Sequence, residues 1–314
     1  MGSETTFKLP AIDFSSTELK PGNPLWETVK SQVRKAAEEY GCFEALFQDI
    51  SQELRKAMDG ALEEIFALPL EIKKLNVSDR PFHGYIGSSS PLSLYESIGF
   101  DDPDNFHKVE SFTNIMWPQG NINFSTTVHS FSKTLTELDQ MIRKMIVESF
   151  GMEKYLDEHM NSAYNIFRVT KYAAPETTDK KTGLRAHTDK NTTSILYQNQ
   201  IDGLEIQTKD GEWINVEFSP YSFIVIIGES LNAWTNGRLH SPCHRVMMSG
   251  SKTRYSAVLF TVPKEGYVIK AVEELVDDEH PLQFKPFEYL EYLKLRYAEV
   301  GKNFESPLKA YFGA

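Results

Sequence analysis

Apolar positions recur at helical spacing through the first half of the chain and in short β-prone runs through the second. In residues 25–41, Val29, Val33, Ala36, Ala37 and Tyr40 fall on one face and Gly41 follows as a stop, which predicts a helix. Residues 51–69 predict a second, with Ser51 as its cap and Pro69 just past its end. A long amphipathic helix is predicted over 126–150, carrying Val128, Phe131, Leu135, Leu138, Ile142, Met145 and Ile146, with Gly151 as its stop. Beyond it, seven runs rich in β-branched and aromatic residues begin near 163, 192, 204, 211, 222, 243 and 254. Lys209-Asp210-Gly211 reads as a hairpin turn between two of them, and residues 284–300 predict a closing helix. Helices followed by a β block predict an α+β unit in which helices buttress a barrel or double-sheet jelly roll.

Composition narrows the function rather than the fold. With 40% hydrophobic and 25% charged residues, the 314-residue chain has the balance of a globular protein able to bury a large core. A net charge of −11 argues against a nucleic-acid binder and against an anionic membrane surface. Cys42 and Cys243 form no CxxC, no apolar run is long enough to span a membrane, and no signal-peptide core is present; a cytoplasmic protein is expected. Gly2 and Thr6 fit the permissive myristoylation pattern, but no basic cluster supports it and no lipid anchor is expected.

Chemistry concentrates in the β block. His187 and Asp189 stand two apart beside a strand, so both side chains can reach one point. The pair alone leaves open whether that point is a metal, a bound proton or solvent. His244 lies 55 residues after Asp189 in the same block. Two imidazoles and one carboxylate, occupying one side of a metal, suit a non-haem Fe(II) that must also bind O₂ and a cosubstrate. A structural zinc site would more often close with a fourth protein ligand. Arg254 and Ser256 share a strand face with Val258 and Phe260. A guanidinium inside a barrel needs a carboxylate, from the protein or from a ligand, and its fork plus a hydroxyl suits the far end of a small dicarboxylate. The plain alternative is a solvated arginine on an edge strand.

His-Thr-Asp at 187–189, His-Arg-Val at 244–246 and Arg-Tyr-Ser at 254–256, in that order, resemble the plant 2-oxoglutarate- and Fe(II)-dependent dioxygenases. Leu-Pro-Ala-Ile-Asp-Phe-Ser near the start, residues 39–45 and the Gly-Glu-Trp-Ile strand extend the likeness over nearly the whole chain. Residues 117–121 and 236–246 are most similar to the subgroup that tailors glucosinolates, steroidal alkaloids and lignans. The resemblance implies a double-stranded β-helix. It implies that His187, Asp189 and His244 are the iron ligands and that Arg254 and Ser256 hold the distal carboxylate of 2-oxoglutarate. Tyr172 matches the tyrosine of the family's Asn-x-Tyr element, although Thr170 replaces that asparagine and Ala173-Ala174 replaces the prolines beyond it. Family position places Thr113 and Arg168 toward the substrate, with Phe260 beside Arg254 and Ser256.

These readings predict one dioxygenase unit over 1–314, with a mainly helical region 1–120 and a jelly-roll core 160–264. They also predict Fe(II), 2-oxoglutarate and O₂ as cofactor and cosubstrates, with ascorbate as reductant. The expected protein is a monomer acting on a small molecule, a hydrophobic ring-bearing plant specialised metabolite. Hydroxylation ranks ahead of oxidative ring closure or desaturation. A metal hydrolase finds no general base at a telling spacing, and an intact His-Asp-His with Arg-x-Ser argues against a non-catalytic binding protein on the same fold. His240, four residues from His244 but across Pro242, reads as a loop or pocket residue, and Cys243 as a small buried one. Phe82, Tyr85, Phe100, Phe112 and Trp117 are ordinarily core at such positions, with a pocket role as the lesser alternative.

Overall fold

A computed structural model describes residues 8–81, 83–87, 94–176, 179–298 and 306–314. The strands are β1 (Ala11–Asp13), β2 (Cys42–Leu46), β3 (Gly84–Ile86), β4 (Tyr95–Asp101), β5 (Ala163–Tyr172), β6 (Lys181–His187), β7 (Thr193–Gln198), β8 (Leu204–Gln207), β9 (Trp213–Asn215), β10 (Ser222–Ile227), β11 (His244–Met248) and β12 (Arg254–Pro263). The helices are α1 (Pro24–Glu39), α2 (Gln52–Ala67), α3 (Leu70–Lys73), α4 (Phe106–Met116), α5 (Ile122–Ser149), α6 (Leu156–Asn161), α7 (Glu229–Trp234), α8 (Tyr289–Ala298) and α9 (Pro307–Phe312).

An eight-stranded sheet, ordered β1-β2-β10-β7-β12-β5-β4-β3, faces a four-stranded sheet ordered β6-β11-β8-β9. One side of the large sheet presents Phe167, Val169, Ile195, Tyr197, Phe223, Val225, Ala257 and Leu259 to the helices. There α5 inserts Val128, Phe131, Leu135, Leu138, Ile142, Met145 and Ile146, each at most 1% exposed. The other side turns Leu196, Ile224, Ile226 and Val258 toward Leu204 and Ile206 of the small sheet. Strands covered on both faces lose the polar alternation of half-solvated strands, which is why consecutive apolar residues stand at 195–197 in β7 and 223–227 in β10. The arrangement is the expected jelly roll with helices packed on one side.

Local chemistry sets the element ends. Ser51 accepts the Leu54 amide as predicted, and Asn23 caps α1 by accepting from Leu25. Helix α5 starts at Ile122, four residues before the predicted Thr126, because the Asn121 side chain accepts the Phe124 amide. The helix predicted over 284–300 starts later than predicted. Pro286 disfavours a helical Lys285; Phe287–Glu288 instead pairs with Val268–Ile269, and α8 begins only at Tyr289. Region 1–120 also carries β1 to β4, which extend both flanks of the large sheet. No helix among the described residues is long and apolar enough to cross a membrane.

Candidate active site

His187 ends β6 and His244 begins β11, and antiparallel pairing sets them directly opposite one another. Their ring centroids lie 4.3 Å apart. Asp189, two residues past the strand, brings Oδ1 to 3.7 Å from His187 Nε2 and 3.6 Å from His244 Nε2. The three ligand atoms all lie within 4.8 Å of one another, and this is the one such group among the described residues.

The surroundings aim these atoms inward. His187 Nδ1 lies 2.8 Å from the Arg185 carbonyl and His244 Nδ1 3.3 Å from the Pro242 carbonyl. A ring nitrogen facing a carbonyl carries the proton, so both Nε2 lone pairs are left for the shared point. Ser194 donates to Asp189 Oδ2 at 2.6 Å, which leaves Oδ1 for the centre. Packed surroundings and the nearby His244 push His187 down to about 4, although about a third of its side chain is exposed. Burial alone would raise the Asp189 carboxyl, but His244, His187 and the Ser194 hydroxyl outweigh it and hold it low. Both groups thus favour the unprotonated forms that bind metal. Three protein ligands with no fourth fit an open-sided transition-metal site.

Residues 188–192 carry Asp189 and sit on the start of α7. Glu229 N–H donates to the Asp189 carbonyl (2.8 Å), Gly228 N–H to Thr192 (2.9 Å) and Ser230 N–H to Asn191 (3.2 Å). A Cβ on Gly228 would fall 1.9 Å from the Asn191 carbonyl oxygen, so the approach requires glycine. Beneath, the Glu229 carboxylate accepts from Thr188 Oγ1 (2.6 Å) and the Tyr292 hydroxyl (2.5 Å) and pairs with Lys190 Nζ at 3.3 Å.

Arg254 is not a solvated edge residue. Strand β12 runs between β5 and β7, and Arg254 is 1% exposed. Its Nε and Nη2 both donate to Gln198 Oε1, at 3.1 and 2.9 Å, while the buried Nη1 has no hydrogen-bond partner among the described residues. Register places Tyr172 opposite Arg254, and Thr170 and Gln198 on either side of Ser256. The Tyr172 ring centroid lies 5.1 Å from the guanidinium carbon. Tyr172 fits there because Gly183 faces it without a side chain; a Cβ would come within 2.8 Å of the ring. Burial keeps the Tyr172 phenol protonated far above its ordinary value. A buried cation with both Nη1 donors unused among the described residues, and a neutral phenol and hydroxyl beside it, fits a ligand carboxylate.

The remaining predicted positions divide. Arg168, 5% exposed, lies opposite Val258 on the inward face, donating to Ser97 Oγ at 2.6 Å and to the Gly84 carbonyl at 3.4 Å. Phe260, half-buried, stands opposite Ser194 on the same face. Thr113 does not reach this side. It is fully buried in the α4–α5 contact, where its hydroxyl donates to the Val109 carbonyl and accepts from Ser125. Phe100, Phe112 and Trp117 belong to the helical core, with Phe100 and Phe112 stacked at 4.2 Å. Tyr85 donates to Glu96 at 2.9 Å, and Phe82 lies outside the described residues. His240 is outside the metal group; its amide donates to the Ala37 carbonyl, and burial pushes its ring down to about 4. Cys243, half-buried, has its thiol raised by burial. A cavity of about 1050 Å³ lies beside the metal loop, with Thr188 and Cys243 in its wall and Glu229, Arg238 and Phe284 also lining it, so its lining mixes charged, polar and apolar groups. Sequence reading missed Ser194, Gln198, Gly228, Glu229 and Tyr292. Only Gln198, a polar residue closing an apolar run, left a local signal.

Residues 157–263 match the 2OG-Fe(II) oxygenase superfamily, and residues 9–116 match the N-terminal region of non-haem dioxygenases in morphine synthesis. The chain belongs to the 2-oxoglutarate- and Fe(II)-dependent dioxygenases, and it is an oxidoreductase that uses Fe(II) and 2-oxoglutarate. It is 51% identical to the probable 2-oxoglutarate-dependent dioxygenase AOP1.2 of Arabidopsis thaliana, over 98% of this chain and 96% of that one. The 2-oxoglutarate-dependent dioxygenase AOP3 of the same plant is 35% identical, over 98% and 97%. Among solved structures, the rice dioxygenase for auxin oxidation is 27% identical with a TM-score of 0.83, over 98% of this chain and all of that one.

Proposed function

We propose that His187, Asp189 and His244 hold the iron and that Arg254, Ser256 and Tyr172 hold the far carboxylate of 2-oxoglutarate. The observation that carries this reading is Arg254: a guanidinium 1% exposed, with Nη1 unpartnered among the described residues, on the same jelly-roll face as Ser256 and Tyr172. Iron, 2-oxoglutarate and O₂ together supply oxidation of a substrate C–H bond, with release of succinate and CO₂. The chain's own groups bind and orient. The Nδ1–H bonds and Ser194 fix the ligand atoms, Arg254 neutralises the carboxylate, and the dry wall around Arg254 strengthens that pairing.

The substrate is a small plant metabolite bearing an apolar ring, and Arg168 and Phe260 face it from the inward wall. The rice relative's name, a dioxygenase for auxin oxidation, supports a small plant molecule. Hydroxylation is the outcome we favour. The enzyme acts as one unit, a monomer in the cytosol, with 160–264 carrying the site. A net charge of −11 supports a partner that is not nucleic acid.

A panel of plant metabolites, read by succinate release under ¹⁸O₂, tests this. One labelled oxygen in the product supports hydroxylation. A product two hydrogens lighter and unlabelled replaces it with desaturation or ring closure, and succinate formed equally fast without organic substrate removes both.

A further inference from the structure

The reading above does not use the Glu229 cluster. Glu229 is 4% exposed, the fully buried Tyr292 comes from the distant helix α8, and Lys190 Nζ also contacts the Thr188 carbonyl at 2.7 Å. Both carboxylate oxygens of Glu229 are occupied, Oε1 by Thr188 and Oε2 by Tyr292 and Lys190. Glu229's partners Thr188 and Lys190 are the two residues flanking Asp189 in sequence, and its own amide holds the Asp189 carbonyl. One buried carboxylate thus ties down the side chains on both sides of a metal-ligand position. What fixes the carboxylate in turn is a phenol on helix α8.

We propose that Tyr292 and Glu229 are positioning residues for the metal centre: helix α8, acting through the Tyr292–Glu229 hydrogen bond, holds Asp189 in its ligating position. The physical basis is orientational. A carboxylate ligand whose own carbonyl and whose neighbouring side chains are held loses less freedom on binding metal, and loosening partners of this kind weakens metal affinity about 10- to 100-fold. The proposal rests on His187, Asp189 and His244 being the metal site.

The test is anaerobic titration of the full-length protein with Co(II) alone, followed by the visible absorption of the bound ion. Tyr292→Phe removes one oxygen and keeps the ring, and should bind Co(II) about 3- to 10-fold more weakly, one step further out than the range above. Glu229→Gln should bind about 10-fold more weakly or worse, and the double variant no more weakly than Glu229→Gln alone, because both act along one path. Leu62→Ala is the control. Leu62 is fully buried in α2, and truncating it lowers stability without touching α8 or Glu229. Wild-type affinity in Tyr292→Phe or Glu229→Gln overturns the proposal, as does an additive double variant or an equal loss in Leu62→Ala. Failure of the underlying reading looks different: His187→Ala would then bind Co(II) as well as the wild type does.

Discussion

Arg254→Met separates a ligand-binding role from a structural one. If Arg254 were there for the fold, held by Gln198, with Asp202 beyond at 3.2 Å from the Gln198 amide, its removal would break a buried charged network. That costs about 3–5 kcal/mol of stability. If the guanidinium awaits a ligand carboxylate, the ligand-free protein bears a desolvated charge without a carboxylate in contact, and a similar-sized apolar side chain should not lower its stability. Binding should suffer instead. Deleting one partner of a buried charge pair costs about 2–5 kcal/mol, which raises the 2-oxoglutarate dissociation constant about 30- to several-thousand-fold. Unfolding with and without 2-oxoglutarate, in the presence of Mn(II), reads both effects at once. At a concentration about 100 times the wild-type dissociation constant the ligand stabilises the wild type by about 2.7 kcal/mol. In the variant the gain is at most about 0.9 kcal/mol, from the same relation with a 30-fold weaker constant. An undiminished ligand effect, or a ligand-free protein several kcal/mol less stable, would refute the reasoning.

Alanine at His187, Asp189 or His244 should abolish turnover and metal binding, whereas His240→Ala should keep the metal; the reverse pattern in a metal titration would reassign the site. Ser194→Ala frees Asp189 Oδ2 and should weaken metal binding about 10- to 100-fold without changing the fold by circular dichroism. Thr113→Val should cost about 1 kcal/mol in urea unfolding and leave KM for 2-oxoglutarate and substrate unaltered, since its hydroxyl serves only helix packing; a changed KM would restore it to the pocket. His159 is buried against Trp234 with Nε2 unpartnered among the described residues, and burial, helped by nearby Arg143, pushes it down to about 3. Because the unfolded chain takes up that proton near pH 6.5 and the folded one does not, stability should fall as pH drops from about 6.5 towards 3. The slope approaches about 1.4 kcal/mol per pH unit. Urea unfolding of His159→Phe should show a shallower fall over that window, and parallel curves would contradict the burial argument.

The parts legible in sequence were those whose signal is local. Ser51 announces its helix, β7 and β10 announce strands covered on both faces, and His187 with Asp189 sit close enough in the chain to be noticed together. Arg254 and Ser256 were visible through strand alternation, but only pairing with β5 and β7 decides that the strand is central. Thr113 was placed wrongly because position along a family does not reveal which side of a sheet a helix packs against. Glu229 and Tyr292 carried no signal at all. A glutamate opening a short helix and a tyrosine in a terminal one look like ordinary solvent and core residues until the fold closes.

That closure has a kinetic side. Arg254 pairs with Tyr172 and Ser256 with Gln198, and His244 pairs with His187, so every half of the site meets its other half across a long loop of chain. Such non-local pairings are slow to form, and the loop entropy is spent before the contacts return it. Strand β12 is the last to be synthesised in the large sheet, so no nascent fragment that stops short of it can present the wall of Arg254 and Ser256. Affinity for a carboxylate ligand at that wall reports that the sheet is complete. By mass action such a ligand then favours the finished chain over every partly assembled one, and a shortage of it leaves more of the protein exposed to degradation.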